Sequence, residues 1–405
     1  MKLSMLIGAD LKEALHTFFD AGEDGSAYAN RVADSKGDSA DFDSAYRDAT
    51  GKLEGFRIVR EFVALPSRRS VQCLAPIGSQ QCQMSGLWIY TPFTRRGRLV
   101  KSFFLNLAKL GRLGWAPSGL AIASTRPLPL ELLIAEITGE QKPFLALSLG
   151  TPGRFRKLTI QVMRPDGEVL GYIKLPHTSA AIDQVRHEAA VLQRLWDIGP
   201  LRPHIPRVLH AGEWGEAYVL FQSSGPLGDG QIDFGTPHQN FLQTLWSVHQ
   251  TERPGPELVE EVALNWRKTE ALWNTEWRKL AARALERARL DLATAMIPCG
   301  ISHGDFTPWN IRVKDGRLFI FDWEMARWGQ PILWDVFHFH SQVSSLLRKK
   351  RAWVAPPTRS SIESASLLLY LLSSACLLFE KGCERAAEIE YRQRAILERL
   401  SQNIP

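Results

Sequence analysis

Between Ser302 and Glu324 the chain reads S-H-G-D-F-T-P-W-N-I-R-V-K-D-G-R-L-F-I-F-D-W-E, and no other stretch limits the fold as tightly. Asp305 follows His303 by two residues and precedes Asn310 by five. A turn at Gly316 leads into an apolar, strand-like run from Leu318 to Phe321, which ends on a second acid, Asp322. The five-residue step lets one loop bring a carboxylate and an amide to the same chemical group. The strand then delivers the second carboxylate at its tip.

Protein kinases carry these parts in this order: a catalytic-loop Asp and Asn, a strand, then a metal-holding Asp. Here H-G-D and D-W-E stand where protein kinases have H-R-D and Asp-Phe-Gly. In this the chain resembles the aminoglycoside phosphotransferase and choline kinase family of the protein-kinase-like superfamily, over about residues 143–400. The resemblance implies an α+β, two-lobed protein-kinase-like fold with a five-stranded small lobe and a mostly helical large lobe. It also implies ATP and Mg²⁺ as cofactors, and transfer of a phosphoryl group to a hydroxyl of a small molecule. Asp305 is then the implied base, and Asn310 and Asp322 the implied Mg²⁺ ligands. His303 would support the loop, and Asp335 would buttress it from downstream. Glu324 would sit near a second metal or arrange the loop, with a plain surface acid equally open.

Upstream, the pattern fits the small lobe. Strands are expected at 144–149, 157–163, 169–175, 206–210 and 217–222, with a Pro165-Asp166-Gly167 turn and a helix at about 179–197. Lys174 closes the strand G-Y-I-K-L where a kinase places the Lys that steadies the α- and β-phosphates. Glu188, 14 residues on within R-H-E-A-A, is its implied ion-pair partner. The full G-x-G-x-x-G is absent. Gly150 and Gly153 still permit close backbone approach to phosphate, and Arg154, Arg156 and Lys157 supply charge beside them. Gln222, Ser223 and Ser224 are expected to meet the adenine through backbone groups, ahead of a Gly/Ser/Pro-rich hinge at 223–230. Helices are expected at 237–250, about 258–295, 332–350 and 361–398. Trp309 and Trp323 flank the site, as acceptor contacts or as core.

Composition excludes several classes. A net charge of +6 over 405 residues makes no case for nucleic acid. Five scattered cysteines and no C-x-x-C argue against a disulfide framework or a zinc site, and for a cytoplasmic protein. Met1 to Ala9 does not read as a signal peptide, and the nearly apolar run Leu367 to Phe379 reads as a buried core helix. No obligate protein partner is evident.

Residues 1–50 read as a flexible or loosely helical segment, since positions 20–48 carry eight acids against three bases. Residues 51–142 read as an accessory α/β region ahead of a small lobe at 143–225 and a large lobe at 226–405. In it, strands are expected at 56–65, 71–76 and 86–93, then a helix from Arg95 to Arg112. Leu99, Val100, Phe103, Phe104, Leu107 and Leu110 would share one face of that helix, with basic residues around it. Such a helix packs on its own sheet, or makes a weak contact with an anionic membrane.

Two functions compete. One is an ATP-dependent kinase for a small hydroxylated acceptor such as a sugar, an amino alcohol or a glycoconjugate precursor. A net basic chain weighs against polycationic antibiotics as the acceptor. The other is a kinase-like scaffold acting through its N-terminal region, although a scaffold has no chemical need for Lys174, Glu188, Asp305, Asn310 and Asp322 together.

Overall fold

The computed structural model describes residues 31–33, 57–67, 70–92, 95–116, 119–124, 129–150, 153–176, 178–215, 217–226, 230–347, 356, 358–380 and 386–401. The reading of 1–50 as a loose segment therefore lies almost wholly outside the described residues. The chain divides into two compact units, with the second taking 194–205 and everything from 226 onward.

The first unit is built on one antiparallel sheet. Its strands are β1 (Arg31–Ala33), β2 (Arg57–Ser67), β3 (Ser70–Pro76), β4 (Gly119–Ser124), β5 (Phe144–Ser148), β6 (Lys157–Met163), β7 (Val169–Pro176), β8 (Val208–Trp214) and β9 (Ala217–Ser223). They lie in the order β1-β4-β2-β3-β5-β6-β7-β9-β8. The five strands expected for a kinase small lobe are present, each within a few residues of its expected span. They do not stand alone. Cys73 pairs with Ser148 and Leu74 with Leu147, so β3 continues the ladder from β5 into the upstream strands. One core follows from that pairing: Phe62, Ala64 and Leu74 pack with Leu145, Leu147, Leu158, Ile160, Ile173 and Phe221.

Three helices accompany the upstream strands: α1 (Gln80–Gly86), α2 (Arg95–Lys109) and α3 (Pro129–Thr138). The strand expected at 86–93 is not there. α1 ends at Gly86 and a 3-10 turn, Leu87–Ile89, follows it. The apolar run Leu87, Trp88, Ile89, Tyr90 is short enough to suit either structure, and burial of Leu87 and Tyr90 against Val63, Leu65 and Phe104 decides for the turn. α3 had no counterpart in the sequence reading; it buries Leu130 and Ile134 in the sheet core. The helix over 95–109 forms as expected, but its apolar face splits. Phe104 and Ala108 are buried, whereas Leu99 and Phe103 are exposed.

α4 (Ser179–Trp196) belongs to this unit up to Gln193, and its Val185 and Ala189 pack on Leu220 of β9.

The second unit is mostly helical: α5 (Thr236–Val248), α6 (Gly255–Thr269), α7 (Thr275–Asp291), α8 (Trp334–Gln342), α9 (Ser361–Glu380) and α10 (Ala386–Ser401). The long helix expected at about 258–295 is two helices. They are broken at a 3-10 turn, Glu270–Leu272, after which the Asn274 side chain caps α7 by accepting the Trp277 amide at 2.9 Å. The helix expected at 332–350 is α8 followed by a π-helical turn, Val343–Leu347; that expected at 361–398 is α9 and α10. α9 is long and apolar enough to cross a membrane by length and composition, yet Leu367 to Leu372 are all buried in the core with α6, α7 and α10.

Five short strands carry the loop of interest: β10 (Thr251–Pro254), β11 (Met296–Ser302), β12 (Ile311–Lys314), β13 (Arg317–Ile320) and β14 (Arg327–Pro331). β11 runs between β10 and β14 and is buried over its last four residues. β12 and β13 form a hairpin whose two-residue Asp315-Gly316 loop has φ of 51° and 72°, the left-handed pair that suits a strand-twisted turn.

Candidate active site

β11 ends on Ser302 and delivers a loop that is fixed from beneath by one buried carboxylate. Asp335, in the first turn of α8 and 1% exposed, accepts the Ser302 hydroxyl (2.9 Å) and the backbone amides of His303 (2.7 Å) and Gly304 (3.0 Å). A carboxylate holding consecutive amides fixes the direction of a chain as well as its position. Gly304 has φ of +78°, and a Cβ there would lie 2.3 Å from the Met325 carbonyl oxygen. That double constraint explains why glycine stands between His303 and Asp305.

His303 is fully buried. Its Nδ1 accepts the Asp305 amide at 3.2 Å, so Nε2 carries the proton and donates to the Phe321 carbonyl at 3.1 Å. Burial pushes its basicity down against the pull of Asp335 and Asp305, which keeps the ring neutral in that tautomer. The imidazole thus ties the loop to the residue just before Asp322. Its other face packs against Trp323, which is fully buried, with ring centroids 4.6 Å apart. Trp323 is core, while Trp309 is half-buried.

The Asp305 carboxylate is held at both oxygens. Oδ2 accepts Nδ2 of Asn310 at 2.9 Å, and Oδ1 meets Nε2 of His338 at 2.9 Å. Nδ2 of Asn310 also reaches the Asp305 carbonyl, so the amide orientation is set and its Oδ1 is the atom turned to other uses. Burial works to raise the Asp305 pKa, but the hydrogen bond and charge of His338 bring it below the ordinary carboxylate value. The side chain remains 36% exposed, so the anion is oriented but still reachable.

His338 went unnoticed in the sequence. It lies 33 residues from Asp305, in the middle of α8, and no local spacing marks it. Behind it Tyr370 of α9 sits 3.1 Å from Nδ1. Burial raises the Tyr370 pKa to about 12, so the hydroxyl stays protonated beside Nδ1. The Asp305 carboxylate only accepts, so Nε2 carries a proton and points it at Asp305. A Tyr–His–Asp chain therefore sets the carboxylate from the helical side.

Asp322 follows β13 with φ of +71°, a left-handed conformation that Asp tolerates better than most residues. Its carboxylate oxygen lies within 4.8 Å of one from Glu324, both side chains being half-buried.

In the first unit, Lys174 and Glu188 meet. The Lys174 ammonium is 2.6 Å from each Glu188 carboxylate oxygen, with the two side chains 4% and 0% exposed. Strand alternation puts Ile173 and Leu175 into the sheet core and turns Lys174 to the opposite face, towards α4. Gly150 and Gly153 both have positive φ, +67° and +138°; a Cβ at Gly150 would strike the Lys157 carbonyl at 2.4 Å. Arg156 is 9% exposed and its Nε donates to the Leu149 carbonyl at 3.0 Å, which makes it part of the loop's frame. Ser223 uses its amide on the Arg207 carbonyl (2.8 Å) and its hydroxyl oxygen on the Arg207 amide (2.9 Å). Gln222 is 3% exposed, and its Oε1 is buried without a hydrogen-bond partner among the described residues.

An ordered carboxylate, a neighbouring amide and a second acid at a strand tip now stand in one frame. Residues 166–345 match the phosphotransferase enzyme family. The matched segment holds Lys174, Glu188, His303, Asp305, Asn310, Asp322, Glu324 and Asp335, and it also contains His338. No curated protein matches the chain by sequence. Among solved structures, a thermostable mutant of aminoglycoside phosphotransferase APH(4)-Ia in its apo form is 16% identical, at a TM-score of 0.49, with 67% of this chain and 98% of that one covered. The GDP complex of wild-type aminoglycoside 2'-phosphotransferase-IIIa is 15% identical, at 0.43, with 66% and 98% covered. Amicoumacin kinase hAmiN, in complex with AMP-PNP, Ca²⁺ and Ami, is 12% identical, at 0.40, with 64% and 89% covered. Similarities of this size bear on neither acceptor nor nucleotide.

Proposed function

We propose that the protein is a small-molecule kinase that moves the γ-phosphoryl group of ATP to a hydroxyl of a small acceptor, such as a sugar, an amino alcohol or a glycoconjugate precursor. The observation that carries this reading is the Asp305 carboxylate, held at one oxygen by Asn310 and at the other by His338 while still 36% exposed. A purely structural aspartate held this closely has no need of that opening.

The donor set fits Mg²⁺. The ion takes hard oxygen ligands, and in nucleotide sites it uses one or two protein groups beside phosphate and water. Asn310 turns its amide nitrogen to Asp305, which leaves its oxygen as the ligand atom, and Asp322 supplies a carboxylate. When bound, the ion would neutralise charge on the phosphate oxygens. The protein's own residues do the rest. Asp305 orients the acceptor hydroxyl and takes its proton late, since a carboxylate held below the ordinary range is a weak base. His338 and Tyr370 keep that carboxylate in one rotamer. Lys174, steadied by Glu188, is assigned to the α- and β-phosphates, Gly150 and Gly153 to backbone approach, and Gln222 and Ser223 to the adenine side. Transfer of this kind draws its rate from positioning and electrostatics.

Titration calorimetry with ATP and Mg²⁺ on the natural chain and on Asp322→Ala tests the reading. Micromolar binding that weakens at least tenfold in the variant supports it. Absence of binding to the natural chain overturns it and returns attention to the scaffold.

A further inference from the structure

From Phe62 to Leu130 the chain contains no Asp or Glu, and it contains nine bases: Arg68, Arg69, Arg95, Arg96, Arg98, Lys101, Lys109, Arg112 and Arg126. The whole chain is +6, so the remainder is −3 (+6 less +9). Six of the nine lie on or just beyond α2. The mild overall charge hides a segregated one.

α2 also shows apolar surface to solvent. Leu99 is 72% exposed, Phe103 55% and Leu110, one residue past the helix end, 66%. Spacings of four and seven residues put all three on one stripe, opposite the side on which Phe104 and Ala108 are buried. Exposed Trp115 continues the patch with the Arg112 guanidinium 4.3 Å above its ring. At 100° per residue, Arg95 and Arg96 flank the stripe on its two sides, and Arg98 and Lys109 lie just beyond Arg95. The first turn of α2 thus holds three arginines and no acid, at the end of a helix whose dipole already favours anions. Folding alone does not recommend either feature. An apolar stripe edged with arginine, with Trp at one end, is what the headgroup layer of an anionic bilayer accommodates.

We propose that α2, with Leu110 and Trp115, is a docking surface for an anionic lipid bilayer. Leu99, Phe103 and Leu110 enter the interface, and Arg95, Arg96 and Arg98 pair with lipid phosphates. The proposal does not depend on the kinase reading.

The full-length protein is sedimented with phosphatidylcholine vesicles, with and without roughly a third phosphatidylglycerol. Binding is expected only with the anionic lipid, and it falls as NaCl is raised from about 0.1 to 1 M. Arg95→Glu/Arg96→Glu/Arg98→Glu lowers the partition coefficient by at least about tenfold. That reversal suits the helix dipole, so its effect is not unfolding. Leu99→Ser/Phe103→Ser/Leu110→Ser lowers it by a similar factor, with an unchanged thermal melt because all three side chains are exposed. Failure to bind anionic vesicles overturns the proposal, as does a serine triple that binds like the natural protein. So do a natural dimer that the serine triple turns into a monomer, which makes the stripe a self-contact, and binding to an oligonucleotide but not to vesicles. ATP binding measured on the same variants stays unchanged, which separates this surface from the nucleotide site.

Discussion

Two charged groupings lie within residues 166–345, and they are built in opposite ways. Lys174 and Glu188 are both almost completely buried and neutralise each other at 2.6 Å. Asp305 is partly open and is oriented by the Asn310 amide and the His338 imidazole, with neither Lys nor Arg hydrogen-bonded to it among the described residues. A buried ion pair holds a charge in place only while both partners remain, because either one alone is a desolvated charge. A carboxylate held by hydrogen bonds keeps its charge and keeps lone pairs for a reactant. The first arrangement couples position to stability; the second leaves position nearly independent of it.

The sharpest way to break this contrast is at the ion pair. Lys174→Met takes away the ammonium against which Glu188 is buried, and urea unfolding of the variant should show a loss of about 4 kcal/mol. Lys174→Met with Glu188→Met should recover most of that loss without restoring ATP binding. If the single variant is as stable as the natural chain, the pair is not the buried unit described above.

Asp305→Ala should do the reverse. Phosphoryl transfer, followed as ADP release, should fall by about 10² to 10³, equivalent to about 3–4 kcal/mol, with an unchanged melting temperature. Ionisation of Asp305 should leave no mark on the rate above the ordinary carboxylate range, since its pKa is lowered.

The aromatic group beneath the loop offers a smaller effect with a pH signature. His238 is fully buried beside Phe234, Phe306 and Phe339, and burial lowers its pKa from 6.5 to about 4. The unfolded chain then binds the proton more readily, so stability is complete above about pH 6.5 and is lost as pH falls towards 4. The loss amounts to up to about 3 kcal/mol. His238→Phe should remove that part of the acid sensitivity, read as the difference between urea unfolding curves at pH 7 and pH 4. Parallel losses in both proteins would assign the sensitivity to other groups.

His338 gives the finest test. His338→Gln keeps an N–H where Nε2 donates, and should cost only a few-fold in kcat; His338→Ala should cost about tenfold, near 1.4 kcal/mol. KM for ATP should not move in either. A rise in KM equal to the fall in kcat/KM would make His338 a binding residue instead of a positioning one.

Much of this was legible in the chain, for a definite reason. The small-lobe strands alternate or run apolar between Gly and Pro turns, and Lys174, Glu188, Asp305, Asn310 and Asp322 lie at fixed offsets within or between such elements. Local order carries that information. What local order does not carry is the approach of α8 and α9 to the loop, which gives His338 and Tyr370 their roles across 33 and 65 positions from Asp305. The break between α6 and α7 was equally hidden, because Trp266, Trp273 and Trp277 keep an apolar rhythm through the 3-10 turn. The face of α2 was misjudged because periodicity counts apolar residues without saying how many of them the sheet has room for.

The pairing of Cys73 and Leu74 with Ser148 and Leu147 has a practical bearing on anyone who trims this protein. Cutting just ahead of β5, at about residue 143, would uncover the β5 edge and the apolar faces that Phe62, Leu74, Leu130 and Ile134 now cover. Bare peptide groups on an apolar edge recruit other chains. The shortened protein would be expected to clump, and silence in its assays would then speak of aggregation and not of chemistry.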